Sequence, residues 1–152
     1  MNVDATFDIT ERSGATRAVL RDNQGVCIAA SSSFVPHVPS AVVAESLAML
    51  HGLQLANNLG YNRIQAESDN LEVIQLCSGE ERIWNEATAV YADIISIAGL
   101  IGNVSFSHCK REVNEVAHEL ARVCFTNKTS CNWDDEPPRF LLDKLLNDVT
   151  MV

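Results

Sequence analysis

Residues 40–70 read SAVVAESLAMLHGLQLANNLGYNRIQAESDN, and this stretch decides the class of fold. Ser40 is typical of a helix N-cap and Gly60 of the residue that follows a helix, so the stretch predicts a helix over 41–58. Residues 63–68 then predict a strand. A helix that leads directly into a strand is typical of a domain in which helices pack against a sheet.

The segments on either side complete the prediction of an α/β domain with a mixed sheet. Three strands precede the first helix, and the later part of the chain alternates between helices and one further strand, which gives five strands in total. The predicted strands are 2–8, 16–21, 26–33, 63–68 and 104–109; the turns are 11–15 and 22–25; the helices are 41–58, 70–77, 86–100, 113–124 and 139–146, with a loop over 127–138.

The composition fits one compact domain and excludes a disordered chain. The 152 residues are 47% apolar and 20% charged, which is enough apolar material for a normal core. The formal net charge is −9, from 11 basic and 20 acidic residues. Such a charge repels phosphate groups and argues against a high-affinity nucleic-acid clamp, whereas bound divalent cations would reverse the sign locally.

The cysteines and the N-terminus predict an intracellular protein, nuclear or cytoplasmic, that is neither secreted nor bound to a membrane. The five cysteines are odd in number and contain no C-x-x-C pair, so we expect reduced thiols rather than a zinc site or a disulfide framework. The N-terminus has no apolar signal-peptide core, and no apolar run approaches the roughly 20 residues that cross a bilayer. The start at Met1 suggests a trimmed domain or a truncated gene product.

Glu45 is the most informative residue for function. It shares one side of the predicted helix with small residues, among them Ala48 and Gly52, which let a helix lie close against a sheet. A carboxylate on that side is costly to bury unless it is protonated, paired with a cation or bound to a metal. The alternative is a glutamate near the exposed first turn, where it interacts favourably with the helix dipole.

Two further acids, Asp4 and Asp69, lie where they can join Glu45. Asp69 directly follows the strand over 63–68, and ligands gather at strand ends in α/β sheets; the alternative is helix capping, because Asp69-x-x-Glu72 fits a capping box. Asp4 lies on the first strand, with a surface aspartate as its alternative. Three converging carboxylates suit Mg²⁺ or Mn²⁺, and two such ions can activate water and stabilise the leaving oxygen of a phosphodiester.

Five motifs carry a resemblance to a known family: NVDA (2–5), VLRDNQG (19–25), AESLAMLHGL (44–53), ESDN (67–70) and REVNEVAHELAR (111–122). Their order and spacing resemble ribonuclease H of type 1, and most of all the RNase H-like domains of plant retroelement-derived genes. The resemblance covers residues 1–126 and implies a five-stranded mixed sheet, with strands 1–3 antiparallel and helices on both faces. It also implies endonucleolytic cleavage of RNA in RNA–DNA hybrids with two divalent ions. Residues 127–152 are then a loop and a C-terminal helix that pack on the same domain.

By position, the resemblance implies that Asp4, Glu45 and Asp69 are catalytic, metal-binding carboxylates. His108 falls where the family has a histidine that helps product release, so it is implied to be catalytic; a partly buried strand-end histidine is the alternative. The fourth acidic position is occupied by His118, which as a metal ligand is softer and neutral. This departure implies weaker metal occupancy that favours Mn²⁺, with a helix-surface histidine as the alternative.

A second departure concerns the nucleic acid. Bacterial-type relatives carry a basic, tryptophan-rich segment between the middle helices, whereas residues 78–86 here hold three acids and one arginine. Hybrid binding would then be weak and salt-sensitive, because it rests on few cations. The residues expected to contact the hybrid are Arg12, Lys110, Arg111 and Asn114. For Lys110 and Arg111, a solvated turn is the alternative.

Two functions from different classes therefore remain. The first is a divalent-metal-dependent endoribonuclease of weak activity that cleaves RNA in RNA–DNA hybrids. The second is a non-catalytic RNase H-fold module that binds nucleic acid or protein, which His118 and the net charge favour. The helix over 139–146 is expected to close over the sheet, with binding of a protein partner as the alternative.

Overall fold

A six-stranded mixed sheet organises the protein in the computed structural model, which describes residues 1–79, 86–111, 126–128 and 130–134. The strand order across the sheet is β5-β4-β1-β2-β3-β6. The strands are β1 (Asn2–Asp8), β2 (Ser13–Arg21), β3 (Cys27–Val35), β4 (Arg63–Ser68), β5 (Asn103–His108) and β6 (Cys131–Asp134), and the helices are α1 (Ala41–Asn58), α2 (Leu71–Ser78) and α3 (Thr88–Ile101).

Strands β1, β2 and β3 form two consecutive antiparallel hairpins. In the first turn, Asp8 Oδ1 accepts hydrogen bonds from the main-chain N–H groups of Thr10 and Glu11, at 2.8 and 2.9 Å. In the second, Asp22 Oδ1 accepts from the N–H groups of Gln24 and Val26, at 2.9 and 2.8 Å. These aspartates satisfy main-chain donors in the turns and so fix the pairing register of the three strands.

The predicted turn over 11–15 is wrong for its last three residues, because β2 begins at Ser13. Gly14 lies inside the strand, opposite Phe7 of β1. A Cβ atom at this position would lie 2.6 Å from the main-chain oxygen of Thr6. The glycine is therefore required by the close approach of two strands rather than by a turn.

Helix α1 packs closely over β1 and β2 because the residues between them are small. A Cβ atom on Gly52 would lie 2.8 Å from Val3 Cγ1 and 3.1 Å from Ala18 Cβ. Ala48 and Met49 on the same helix are fully buried. The prediction that small residues let this helix lie close to the sheet is confirmed, and this contact forms the centre of the apolar core.

The class of fold is confirmed, and the number of strands is corrected from five to six. The predicted ends of β1, β3, β4, β5 and the three described helices agree with the structure within two residues. Residues 131–134, predicted as part of a loop, form β6 and pair antiparallel with β3. The exposed edge of β3 offers hydrogen-bonding groups to this segment, and such tertiary pairing overrides the turn preference of Asn and Asp.

Several predictions lie on residues that the structure does not describe, namely the helices over 113–124 and 139–146 and most of the acidic segment over 78–86. The division of the chain at residue 126 stays a prediction, while β6, which follows that point, belongs to the sheet. Three cysteines in the described part, Cys27, Cys77 and Cys109, are free thiols. In that part, every helix is too short or too polar to cross a membrane.

Replacing Gly14 with alanine should destabilise the protein by about 1–3 kcal/mol, because the new methyl group would press against the main-chain oxygen of Thr6. Gly99→Ala is the matched control. Gly99 lies on α3, and no described residue outside its own helix has an atom within 4 Å of the added Cβ, so this change should stabilise by about 0.5–1 kcal/mol. Urea denaturation of both variants checks this, and equal effects would contradict the role assigned to Gly14.

Candidate active site

The register between β1 and β4 brings two acidic residues together. The two strands run parallel and pair at Asn2 and Glu67. Two residues further along each strand come Asp4 and Asp69, and Asp69 lies just beyond the end of β4. The same register therefore places both carboxylates at the carboxyl end of a parallel strand pair, where α/β proteins bind ligands.

Helix α1 adds a third carboxylate at this point, because Glu45 lies in its first turns. Single oxygens of Asp4, Glu45 and Asp69 all lie within 4.8 Å of one another. We call these three residues the acidic cluster. The structure thus brings together the three carboxylates that the sequence singled out, and it does so from three separate elements.

Glu45 is the most strongly perturbed member of the acidic cluster. Burial, with the Asp4 and Asp69 carboxylates as further causes, raises the pKa of Glu45 to about 9. Its carboxyl group shares a hydrogen bond with Asp4, whereas Oε2 is buried without a hydrogen-bond partner among the described residues. In the absence of a bound cation, Glu45 therefore keeps its proton at neutral pH.

Asp4 is held by an arginine that sequence reasoning missed. Arg17 is directly opposite Asp4 in the β1–β2 hairpin, and its Nη2 donates a hydrogen bond to Asp4 Oδ2. Arg17 is 0% exposed and Asp4 3% exposed. The observed turn over 9–12 pairs residue 4 with residue 17. The turn predicted over 11–15 lies two to three residues later and does not give this pairing.

Asp69 is not the helix cap that the capping-box alternative proposed. Asn70 occupies the N-cap position of α2, and its side-chain oxygen accepts from the N–H of Val73 at 3.1 Å. The Asp69 side chain is left for the acidic cluster and lies 3.4 Å from Arg111 Nε. Burial and then the Asp4 carboxylate raise the pKa of Asp69, while Arg111 lowers it.

An open groove of about 740 Å³ adjoins the acidic cluster, and residues that the sequence singled out line it. His108, the last residue of β5, donates from Nε2 to the main-chain oxygen of Asp69 at 3.2 Å. The carbonyl can only accept, so Nε2 carries the proton in this contact. Among the described residues, the lining consists of Glu45, Asp69, Asn70, His108, Cys109, Lys110 and Arg111.

Of the three remaining candidates, one lies outside the groove and two lie outside the described residues. Arg12 lies in the turn between β1 and β2, with a φ of 50°, and is not part of the lining. His118 and Asn114 lie outside the described residues, so their assignment as a metal ligand and a hybrid contact stays a prediction.

The sequence profile of the family described as reverse transcriptase-like matches residues 2–124. The chain belongs to this family. It is an RNase H-like domain, as the resemblance of the motifs implied, and its fold agrees with those of solved RNase H structures. No curated protein sequence matches the chain.

Three solved structures illustrate the similarity of fold, each at 19% sequence identity. RNase H1 from the halophilic archaeon Halobacterium salinarum has a TM-score of 0.78 and aligns over 84% of this chain and 96% of its own. The N-terminal RNase H domain of a Mycobacterium tuberculosis protein has a TM-score of 0.76, over 82% and 91%. LC11-RNase H1 in complex with an RNA/DNA hybrid has a TM-score of 0.77, over 84% and 96%.

The acidic cluster of this RNase H-like domain fits a divalent cation by the chemistry of its donors. Carboxylate oxygens are the ligands that Mg²⁺ and Mn²⁺ prefer. The buried Oε2 of Glu45 has no hydrogen-bond partner among the described residues, and a buried oxygen of this kind is stabilised by a cation. Burial, and then repulsion by the neighbouring Asp4 carboxylate, raises the pKa values of Glu45 and Asp69.

The metal-free domain should lose stability as the pH rises from 4.5 to about 9. Unfolded Glu45 ionises near 4.5 and folded Glu45 only near 9, so across this range the unfolded state binds fewer protons. Glu45→Gln cannot ionise and should flatten this decline. Denaturation in EDTA across the range checks the prediction. The control is Asp93→Asn, on the exposed face of α3, whose stability should fall with pH as steeply as that of the wild type. If the stability of Glu45→Gln fell equally steeply, the role assigned to Glu45 would be wrong.

Asn70→Ala should destabilise the domain by about 1 kcal/mol, because it removes the side-chain acceptor at the N-cap of α2. Asp69→Asn should leave the stability unchanged or raise it in the same EDTA buffer, since Asp69 makes no cap contact and loses its repulsion with Asp4. Urea denaturation of the two variants compares these costs. A larger loss for Asp69→Asn would restore the capping interpretation.

Proposed function

We propose that this RNase H-like domain is a weak, divalent-metal-dependent endoribonuclease that cleaves RNA in RNA–DNA hybrids. The observation that carries the proposal is the convergence of the Asp4, Glu45 and Asp69 carboxylates within 4.8 Å of one another. These are the residues that would hold Mg²⁺ or Mn²⁺, with two ions in the active form and His118 as a further ligand. Activation of a water molecule and stabilisation of the leaving oxygen are the chemistry that such ions supply when bound.

The groove residues have separate roles in this proposal. Glu45 releases its proton when a cation is bound, since the cation then supplies the charge that burial withholds. His108 lies beside Asp69 and assists release of the cleaved product. Lys110 and Arg111 line the same groove. These two residues and Asn114, which lies outside the described residues, contact the hybrid in this proposal.

Several observations support a hybrid as the substrate and a low affinity for it. A protein of similar fold is in complex with an RNA/DNA hybrid. Recognition of the RNA strand requires contacts to its 2′-hydroxyl groups across the minor groove. The net charge of −9, with only Lys110 and Arg111 as lysine or arginine among the described residues of the lining, makes the binding weak and sensitive to salt.

A second candidate function is a non-catalytic module that binds nucleic acid or protein. The observation that favours it is the ion pair between Asp4 and Arg17, because it engages one of the three metal-binding carboxylates with a protein cation. In that case the hybrid would bind without being cleaved.

Cleavage of a labelled RNA–DNA hybrid separates the two candidates. The purified protein should cut the RNA strand slowly with Mg²⁺ or Mn²⁺ and not with EDTA. Asp69→Asn should abolish the cleavage and the stabilisation by Mg²⁺, because it removes a carboxylate from the acidic cluster.

The control variant in this assay is Asp93→Asn, which makes the same chemical change on the exposed face of α3 and should cleave like the wild type. Cleavage that persists in Asp69→Asn would identify a contaminating nuclease. Binding without cleavage in either metal would select the non-catalytic module.

A further inference from the structure

Arg17 is the largest of the fully buried side chains in the described part of the chain. A guanidinium group buried in a sheet is costly unless carboxylates or other acceptors surround it. Its cross-strand neighbour Asp4 accepts its hydrogen bond, and the negative charge of Asp69 also acts on it favourably, as does that of Glu45 when Glu45 is ionised. Arg17 is therefore a permanent cation inside the acidic cluster.

The oxygens of Asp4 are already engaged before any ion is bound. Oδ1 accepts from the N–H of Ala5 at 2.7 Å, and Oδ2 accepts from Arg17. Asp69 differs, because its ion-pair partner Arg111 has a side chain that is 79% exposed and can turn into water. Arg17 has no exposed surface and cannot leave Asp4 in that way.

The charge balance gives this contact a consequence for metal binding. Once a cation is bound and Glu45 has released its proton, the three carboxylates carry a charge of −3, and Arg17 reduces it to −2. Repulsion between Arg17 and a divalent ion in a site of low dielectric opposes binding, and competition for the lone pairs of Asp4 adds to this effect.

We propose that Arg17 is a resident counter-ion that competes with the divalent ion for Asp4 and thereby sets the metal affinity of the site. This inference rests on the metal site proposed above. In this proposal Arg17 stabilises the acidic cluster when no metal is bound. The same contact between Arg17 and Asp4, in the β1–β2 hairpin, weakens the binding of metal.

The first test is titration of the metal-free protein with Mn²⁺ in a calorimeter. Arg17→Met keeps the length of the side chain and removes its charge, so it should bind Mn²⁺ at least about tenfold more tightly than the wild type. Arg21→Met is the matched control. It makes the same change in net charge four residues along β2, where the arginine donates to the main-chain oxygen of Gly25, and it should leave the affinity unchanged.

A second measurement covers the case in which Arg17→Met does not fold. In EDTA, Asp4→Asn should lower the melting temperature because Arg17 loses its charged partner, whereas Asp69→Asn should leave it unchanged or raise it by relieving repulsion. In a cluster governed only by repulsion among carboxylates, both changes would stabilise the metal-free protein. A higher melting temperature for Asp4→Asn therefore overturns the inference.

The outcomes separate this inference from the proposed function. Equal Mn²⁺ affinities of the wild type and a folded Arg17→Met overturn the role of Arg17 and leave the metal site intact. No Mn²⁺ binding by either protein overturns both. Tighter binding by Arg17→Met, together with loss of stability in Asp4→Asn, supports the inference.

Discussion

The candidate site depends on the position of β1 between an antiparallel and a parallel neighbour. The hairpin with β2 sets Asp4 opposite Arg17, and the parallel pairing with β4 sets Asp4 in line with Asp69. A slip of one residue in either pairing would turn Asp4 to the other face of the sheet. The turn contacts of Asp8 and the close approach of Gly14 to Thr6 are thus part of what builds the site.

The acidic cluster is a balance between burial and charge. Burial disfavours ionised carboxylates, and it acts most strongly on Glu45, which keeps its proton. Two arginines supply positive charge that favours the ionised carboxylates. Arg17 contacts Asp4 from inside the sheet, and Arg111 contacts Asp69 from the solvent side. Without a cation Glu45 keeps its proton, and part of the counter-charge for Asp4 is built into β2 as Arg17.

Much of the fold and part of the site could be predicted from the sequence, and the failures have physical causes. The helix over 41–58 and the acids at 4, 45 and 69 follow from local patterns and motif spacing, although the Ser40 side chain makes no cap hydrogen bond among the described residues. Arg17 was not singled out, since a charged residue within a strand looks exposed until the register supplies its partner. Gly14 and β6 were misread because close strand approach and edge pairing are tertiary effects that local preference does not contain.

Strand β6 is the edge strand next to β3. Its residues lie beyond the stretch matched by the family profile, which ends at residue 124. It pairs with β3 from Ala29 to Ser32, and Ser130 Oγ accepts from the N–H of Phe34. Cutting the chain at the end of the family match would leave that side of β3 with free main-chain donors and acceptors. Such an edge can pair with strands of other molecules, and β6 replaces the nine-residue edge of β3 with a strand of four residues.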